Sequence, residues 1–298
     1  MTSAAATRTR LPVWSVPMLF VVGAVSQYVG AAVGVFLFRT AEPATVAWLR
    51  GLAAGLALVL WRRPWRARWT RRGFAIATGF GVVTVVMNIV FYEAIARIPL
   101  GTAVAVEFLG PVAVATLGSR RGRDFFAVTM VLVGVLLLGG VQLDVSLPGL
   151  GFALLSAVLW AGYILVGKRV ADAGDGLDSL AVGMAAAAIA LGPVVVYAQT
   201  RSDAAVFADP RIWLLGLGVG VLSSAVPYGL DQVVLRIVGR ARFAVLLALL
   251  PATAAVVGAV MLAQRPKTVE VIGILLVVLA VAVSAEQRNR ETEPPAPV

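Results

Sequence analysis

The sequence predicts an all-α polytopic membrane protein with ten transmembrane helices arranged as two inverted five-helix repeats. Three observations carry that prediction. Of the 298 residues, 60% are hydrophobic and 13% charged, against about 25% charged in a soluble domain. The apolar residues gather into ten runs, most of them close to the roughly 20 residues a helix needs to cross the hydrocarbon core. The charges lie almost entirely between those runs, where they read as topology signals.

In chain order the runs lie near 14–38, 43–61, 74–96, 100–119, 125–141, 149–167, 179–198, 211–235, 243–262 and 269–285. The fifth and tenth are the shortest. The opening MTSAAATRTR has the charge of a signal-peptide n-region. The apolar stretch behind it is too long for an h-region, so it reads as a retained cytoplasmic tail. With ten spans both termini share one face. If that face is cytoplasmic, the inside segments hold eighteen Lys and Arg and the outside segments six, with Arg50 left inside a span. The positive-inside bias therefore puts both termini in the cytoplasm. RRPWRARWTRR, residues 62–72, becomes a cytoplasmic anchor at the lipid headgroups.

The chain divides near QLDVSLPGLG into a first repeat, 1–145, and a second, 146–285, followed by a polar, Pro-rich segment, 286–298, expected to be disordered. The fourth span of each half carries a proline among small residues, FLGPVAVATLG and ALLPATAAVVG, preceded by Arg97-Ile98 and Arg236-Ile237. Five is odd, so the second half enters the membrane from the opposite side. Inverted repeats of this kind build a site near the midplane that alternates between the two faces.

Polar residues inside the spans are costly, and they usually face a cavity or a partner. At 1.5 Å per residue, Glu107 and Arg50 each lie about 10 Å below the outer ends of the fourth and second spans. Gln27, Asn88 and Trp160 lie roughly 13–16 Å from the same side. Five groups from five helices thus share one layer, which predicts a polar cavity with Glu107 meeting Arg50 or a bound cation. Pro111, Pro227 and Pro251 lack an N–H, so the carbonyls of residues 107, 223 and 247 lose their helical donors. Such backbone is tolerated where it lines a cavity.

Plainer readings stand beside these. Glu107 and Arg50 form a structural ion pair in one, Asn88 and Gln27 bond between helices in another, and Trp160 only packs in a third. Tyr163 and Tyr228 lie nearer the cytoplasmic end, where interfacial aromatics are ordinary. Glu93 and Arg97, four apart, suit a local pair. Asp231 and Arg236 resemble rim charges. Gly30–Gly34, Gly51–Gly55 and Gly216–Gly220 have the spacing of close helix contacts.

Composition removes several function classes. The chain has no cysteine and no histidine, which excludes thiol catalysis, disulfides and Cys/His metal sites. No cofactor is implied. The net charge of +10 sits at membrane-flanking positions, so nucleic acid is not an expected partner. The expected partners are the lipid bilayer and a small molecule, with protons as a coupling ion and a homodimer as an assembly open to such a bundle. A GxxxxGK[ST] loop is absent, so ATP does not drive this chain directly. A membrane enzyme acting on lipid intermediates would need a carboxylate cluster or metal motif, and neither appears.

Specific strings add a resemblance. NIVFYEAIARIPLGTAVAVEFLGPVAVATLGSRR, residues 88–121, resembles the corresponding region of the bacterial threonine/homoserine exporters of the drug/metabolite transporter superfamily (EamA type). SAVLWAGYILVGKR, 156–169, and SSAVPYGLDQVVLRI, 223–237, resemble that family in the same order. The resemblance implies a ten-helix, five-plus-five inner-membrane exporter of small amino acids, not an enzyme. It implies a substrate site at Gln27, Asn88, Tyr92, Glu107, Trp160 and Tyr228, to which the polar layer adds Arg50. Three positions depart from the family pattern. Leu250 stands where an acid precedes the second-half proline, Ala263-Gln264 stands where Gly-Glu ends the ninth span, and Glu93 stands at an apolar position. Arg50 and Glu107 suit the two charges of an amino-acid zwitterion. A drug or nucleobase exporter on the same fold is the alternative. Twenty-three arginines against two lysines suggest a GC-rich bacterial genome.

Overall fold

A computed structural model describes residues 15–67, 69–116, 129–130, 132–134, 137, 146–172 and 176–292. All regular structure among them is helical. The first three apolar runs become α1 (Ser15–Leu37), α2 (Pro43–Arg62) and α3 (Arg71–Ile95). Pro43 opens α2 at its first turn, where a missing N–H costs nothing. Arg63 ends it in the left-handed conformation at φ 53°. A short 3₁₀ turn, Pro64–Arg66, leads to Thr70, whose hydroxyl accepts from the Gly73 N–H and caps α3.

The fourth run is broken, as its proline requires. α4 (Leu100–Glu107) stops at Phe108, and α5 (Leu109–Thr116) starts again beyond it. Most of the fifth run lies outside the described residues. The second half contains α6 (Leu147–Asp172), α7 (Gly176–Ser202), α8 (Pro210–Gly220), α9 (Val226–Leu246), α10 (Leu249–Met261) and α11 (Thr268–Thr292). Between α8 and α9 the residues Val221–Ala225 form a π turn just before Pro227. Bulges of this kind appear where a proline removes a ladder bond.

Six helices among the described residues are long and apolar enough to cross a membrane, and three shorter apolar helices accompany them. Two of the shorter ones, Leu100–Val114 and Leu249–Met261, belong to runs interrupted beside Pro111 and Pro251. Two segments differ from expectation. Residues 236–242, read as a loop from their basic residues, stay helical within α9. α11 continues through Thr292 into the segment expected to be disordered, because Glu286, Gln287 and Arg288 are good helix formers extending an existing helix. Residues 1–14 and 293–298, and with them the N-terminal tail, lie outside the described residues.

The bundle is held by close approach of small residues. α3 crosses α7 where Gly81 faces Gly183, and a Cβ on either would run into the backbone of the other helix. In lipid such contacts replace the hydrophobic drive that water supplies elsewhere. Gly30, Gly34, Gly51, Gly55, Gly216 and Gly220 each face a neighbouring helix, as their spacing predicts. Large apolar side chains point outward, with Leu147 80% and Val260 78% exposed. Glu93 and Arg97 pair locally, as expected.

Candidate functional site

Three breaks or bulges in regular backbone, at Phe108, Val221–Ala225 and Leu247-Ala248, interrupt the helices of the bundle, and polar side chains converge at its centre. Arg50, on the inner face of α2, is 5% exposed. Its Nε donates to Ser224 Oγ at 3.0 Å, and Nη2 donates to the backbone carbonyl of Ser223 at 3.2 Å. The Ser223 carbonyl is the one Pro227 leaves without an α-helical donor. The neighbouring carbonyl of Leu222 accepts from Ser26 Oγ at 2.8 Å, and Ser223 Oγ donates to the carbonyl of Gln27 at 3.1 Å. The π turn is thus stitched to α1 and α2 by side-chain hydrogen bonds. Gly30 permits this, since a Cβ there would collide with Ser223. Behind Arg50 lies the Tyr92 ring, its centroid 5.4 Å from the guanidinium carbon, a cation–π distance.

Glu107 closes α4 on the other side of the space. It is 9% exposed, and its Oε1 accepts from the Ser156 hydroxyl of α6 at 2.5 Å. The sequence suggested an ion pair with Arg50. The pairs found among the described residues are instead Arg62–Asp178 and Arg97–Glu93. Arg50 is engaged by the π turn and Glu107 by Ser156, so each charge keeps hydrogen-bonding capacity that the other does not use.

Both charges line one cavity of about 330 Å³. Gln27, Asn88, Trp160 and Tyr228 line it too, so six of the seven residues singled out from the sequence meet there. The amide nitrogen of Asn88, a residue 3% exposed, has no hydrogen-bond partner among the described residues. Unpaired buried donors are rare and cost free energy. Trp160 is set edge-on to Phe108 at 4.9 Å, which fixes it beside the α4–α5 break. Tyr92 does not line the space. It is fully buried behind Arg50, with its hydroxyl unpartnered among the described residues.

Two assignments made from the sequence are corrected here. Asp231, read as a rim charge, lines the cavity. Tyr163, read as interfacial, lines it as well, stacked on Phe80 at 4.8 Å. Tyr28 and Ser156 were not singled out at all. A signal was available. Ser156, Trp160 and Tyr163 are spaced four and three residues apart, as are Ser224, Tyr228 and Asp231, so each set falls on one helix face. Leu250, at the acid position of the family pattern, also lines the cavity. Gln264, the other departure, accepts from the Leu100 N–H at 3.0 Å and caps α4.

Residues 147–285 match the EamA-like transporter family. The threonine/homoserine exporter RhtA of Salmonella typhimurium (strain LT2) is 34% identical over 292 residues, covering 95% of this chain and 96% of that protein. The threonine/homoserine exporter RhtA of Escherichia coli (strain K12) is 33% identical over 279 residues, covering 91% of each. A solved structure described only as the crystal structure of a protein superimposes with a TM-score of 0.59 at 17% identity, over 94% of this chain and 99% of the other. That likeness supports the fold alone.

Proposed function

The chain belongs to the EamA-like transporter family and to its threonine/homoserine exporter branch, and from that premise we propose that it is a secondary-active exporter of small amino acids or related metabolites, coupled to protons. The observation that carries the reading is the separation of Arg50 and Glu107 within one buried cavity. Two opposite charges on different helices, not spent on each other, suit the carboxylate and ammonium of a zwitterion. Asn88 offers beside them an N–H with no partner among the described residues, and Gln27, Trp160 and Tyr228 complete the substrate wall. Tyr92 acts from behind, holding the guanidinium by its ring face. Intramembrane ionisable groups that face a cavity ordinarily mark a substrate or proton path.

The wider architecture in this reading is ten helices in two inverted five-helix repeats, with boundaries near 145 and 285 and both termini cytoplasmic in the inner membrane. The pattern of helix contacts supports it. Exchanging each helix with its counterpart five spans away turns α3 on α6 into α8 and α9 on α1. The same exchange turns α3 on α7 into α8 on α2, and α4 and α5 on α6 into α10 on α1. The contacts of α2 with α7 and of α4 with α10 map onto themselves. A two-fold relation of this kind suits alternating access, in which one half rocks against the other about a fixed site.

Cells expressing Glu107→Gln at normal membrane abundance are expected to lose efflux. Unchanged efflux would remove Glu107 from the mechanism. A release panel of amino acids, dyes and nucleobases separates the amino-acid reading from a drug or nucleobase exporter on the same fold.

A further inference from the structure

The cavity holds more negative charge than a zwitterion needs. Its described ionisable lining comprises Arg50, Glu107 and Asp231 alongside tyrosines. A neutral amino acid pairs with Arg50 and Glu107 and leaves Asp231 over. Asp231 has no hydrogen-bond or ion-pair partner among the described residues. An unpaired carboxylate at membrane depth is costly, which makes it a functional candidate.

Its position supplies a second argument. Asp231 follows Ser224, the hydroxyl bonded to Arg50, by seven residues, or about 10 Å along the helix axis. On the opposite wall Tyr163 follows Ser156, the hydroxyl bonded to Glu107, by the same interval. The cavity therefore has two polar levels. One contains Arg50, Glu107 and Asn88, with Ser224 and Ser156 bonded to the two charges. The other contains Asp231 and Tyr163, beside Leu177 and Leu180. Tyr28 and Tyr228 line the same space as Asp231 and Arg50. Apolar side chains, Leu247 and Leu250 among them, line the same space.

We infer that the preferred substrates carry a second cation on the side chain: basic amino acids whose α-carboxylate and α-ammonium are held by Arg50 and Glu107, whose methylene stem lies along Leu247 and Leu250, and whose terminal cation is held by Asp231 within a surround of tyrosines. A net-cationic ligand neutralises all three ionisable groups at once. Tyrosine faces add cation–π attraction in a site withdrawn from water. Leu250 fits this assignment, because an acid there would add a fourth charge beside the stem. The inference rests on the amino-acid reading above.

The test uses the full chain reconstituted in liposomes, with lysine, norleucine and threonine as probes. Norleucine has the same stem as lysine and no terminal cation. Lysine is expected to be transported in preference to norleucine by about tenfold or more, since removing one partner of a buried charge pair is costly. Asp231→Asn should abolish that preference, and Asp231→Glu should retain part of it. Threonine transport reports whether the amino-acid reading holds. Threonine moved with no lysine preference, or a preference that survives Asp231→Asn, overturns the inference and leaves the exporter reading standing. No transport of any probe overturns both.

Discussion

The Ser156 hydroxyl donates to Oε1 of Glu107 across the contact between α6 and α4, joining the two halves of the chain at the wall of the cavity. Ser156→Ala removes the only side-chain donor this carboxylate has among the described residues. Leaving a buried acceptor unmet costs about 1–3 kcal/mol. The expected outcome is a lower thermal midpoint in detergent together with a reduced transport rate at equal abundance. A variant with unchanged rate would show that the orientation of Glu107 does not matter.

Arg50 holds the π turn through two differently directed N–H groups and rests on the Tyr92 ring. Lysine keeps the charge and loses the fork. Arg50→Lys should therefore cost roughly 1–3 kcal/mol in stability. If Arg50 holds the substrate carboxylate as proposed, the misplaced cation should reduce transport by about tenfold or more. Parallel measurement of thermal midpoint and transport separates the two effects.

Gly81 and Gly183 allow α3 and α7 to touch backbone to backbone. Gly81→Ala should cost about 3 kcal/mol or prevent accumulation of the folded protein. Gly79, two residues earlier on the same helix, has open space around it. Gly79→Ala should be neutral, or stabilise by about 0.5–1 kcal/mol through helix propensity. Comparing the expression and midpoints of the two variants checks that packing, not glycine as such, is the requirement.

Ala263 sits at φ 52°, a left-handed conformation that strains any residue with a Cβ. Ala263→Gly should stabilise the protein by about 1 kcal/mol. The next residue, Gln264, caps α4 through its side-chain oxygen, so Gln264→Ala should destabilise by about 0.5–1.5 kcal/mol. Gln264→Glu should keep the bond and gain from the positive end of the α4 dipole. Thermal melts of the three variants in one detergent test the signs together.

The residues themselves determine the membrane class, the position of most spans and the places where helices break. Each depends on neighbours in the chain: the length of an apolar run, the N–H missing at Pro111, Pro227 and Pro251, and the four-residue step from Glu93 to Arg97. The polar layer was legible for the same reason, since depth in a helix follows from counting at a known rise. The direction a side chain points is different. Asp231 and Tyr163 looked like rim residues by depth, yet they line the cavity. Arg50 and Glu107 looked like partners, yet one bonds the freed carbonyl of Ser223 and the other bonds Ser156. Rotation of each helix about its axis decided these outcomes. That rotation is set by which small residues, such as Gly30 and Gly220, let two particular backbones come close, a relation between distant segments that no local count contains.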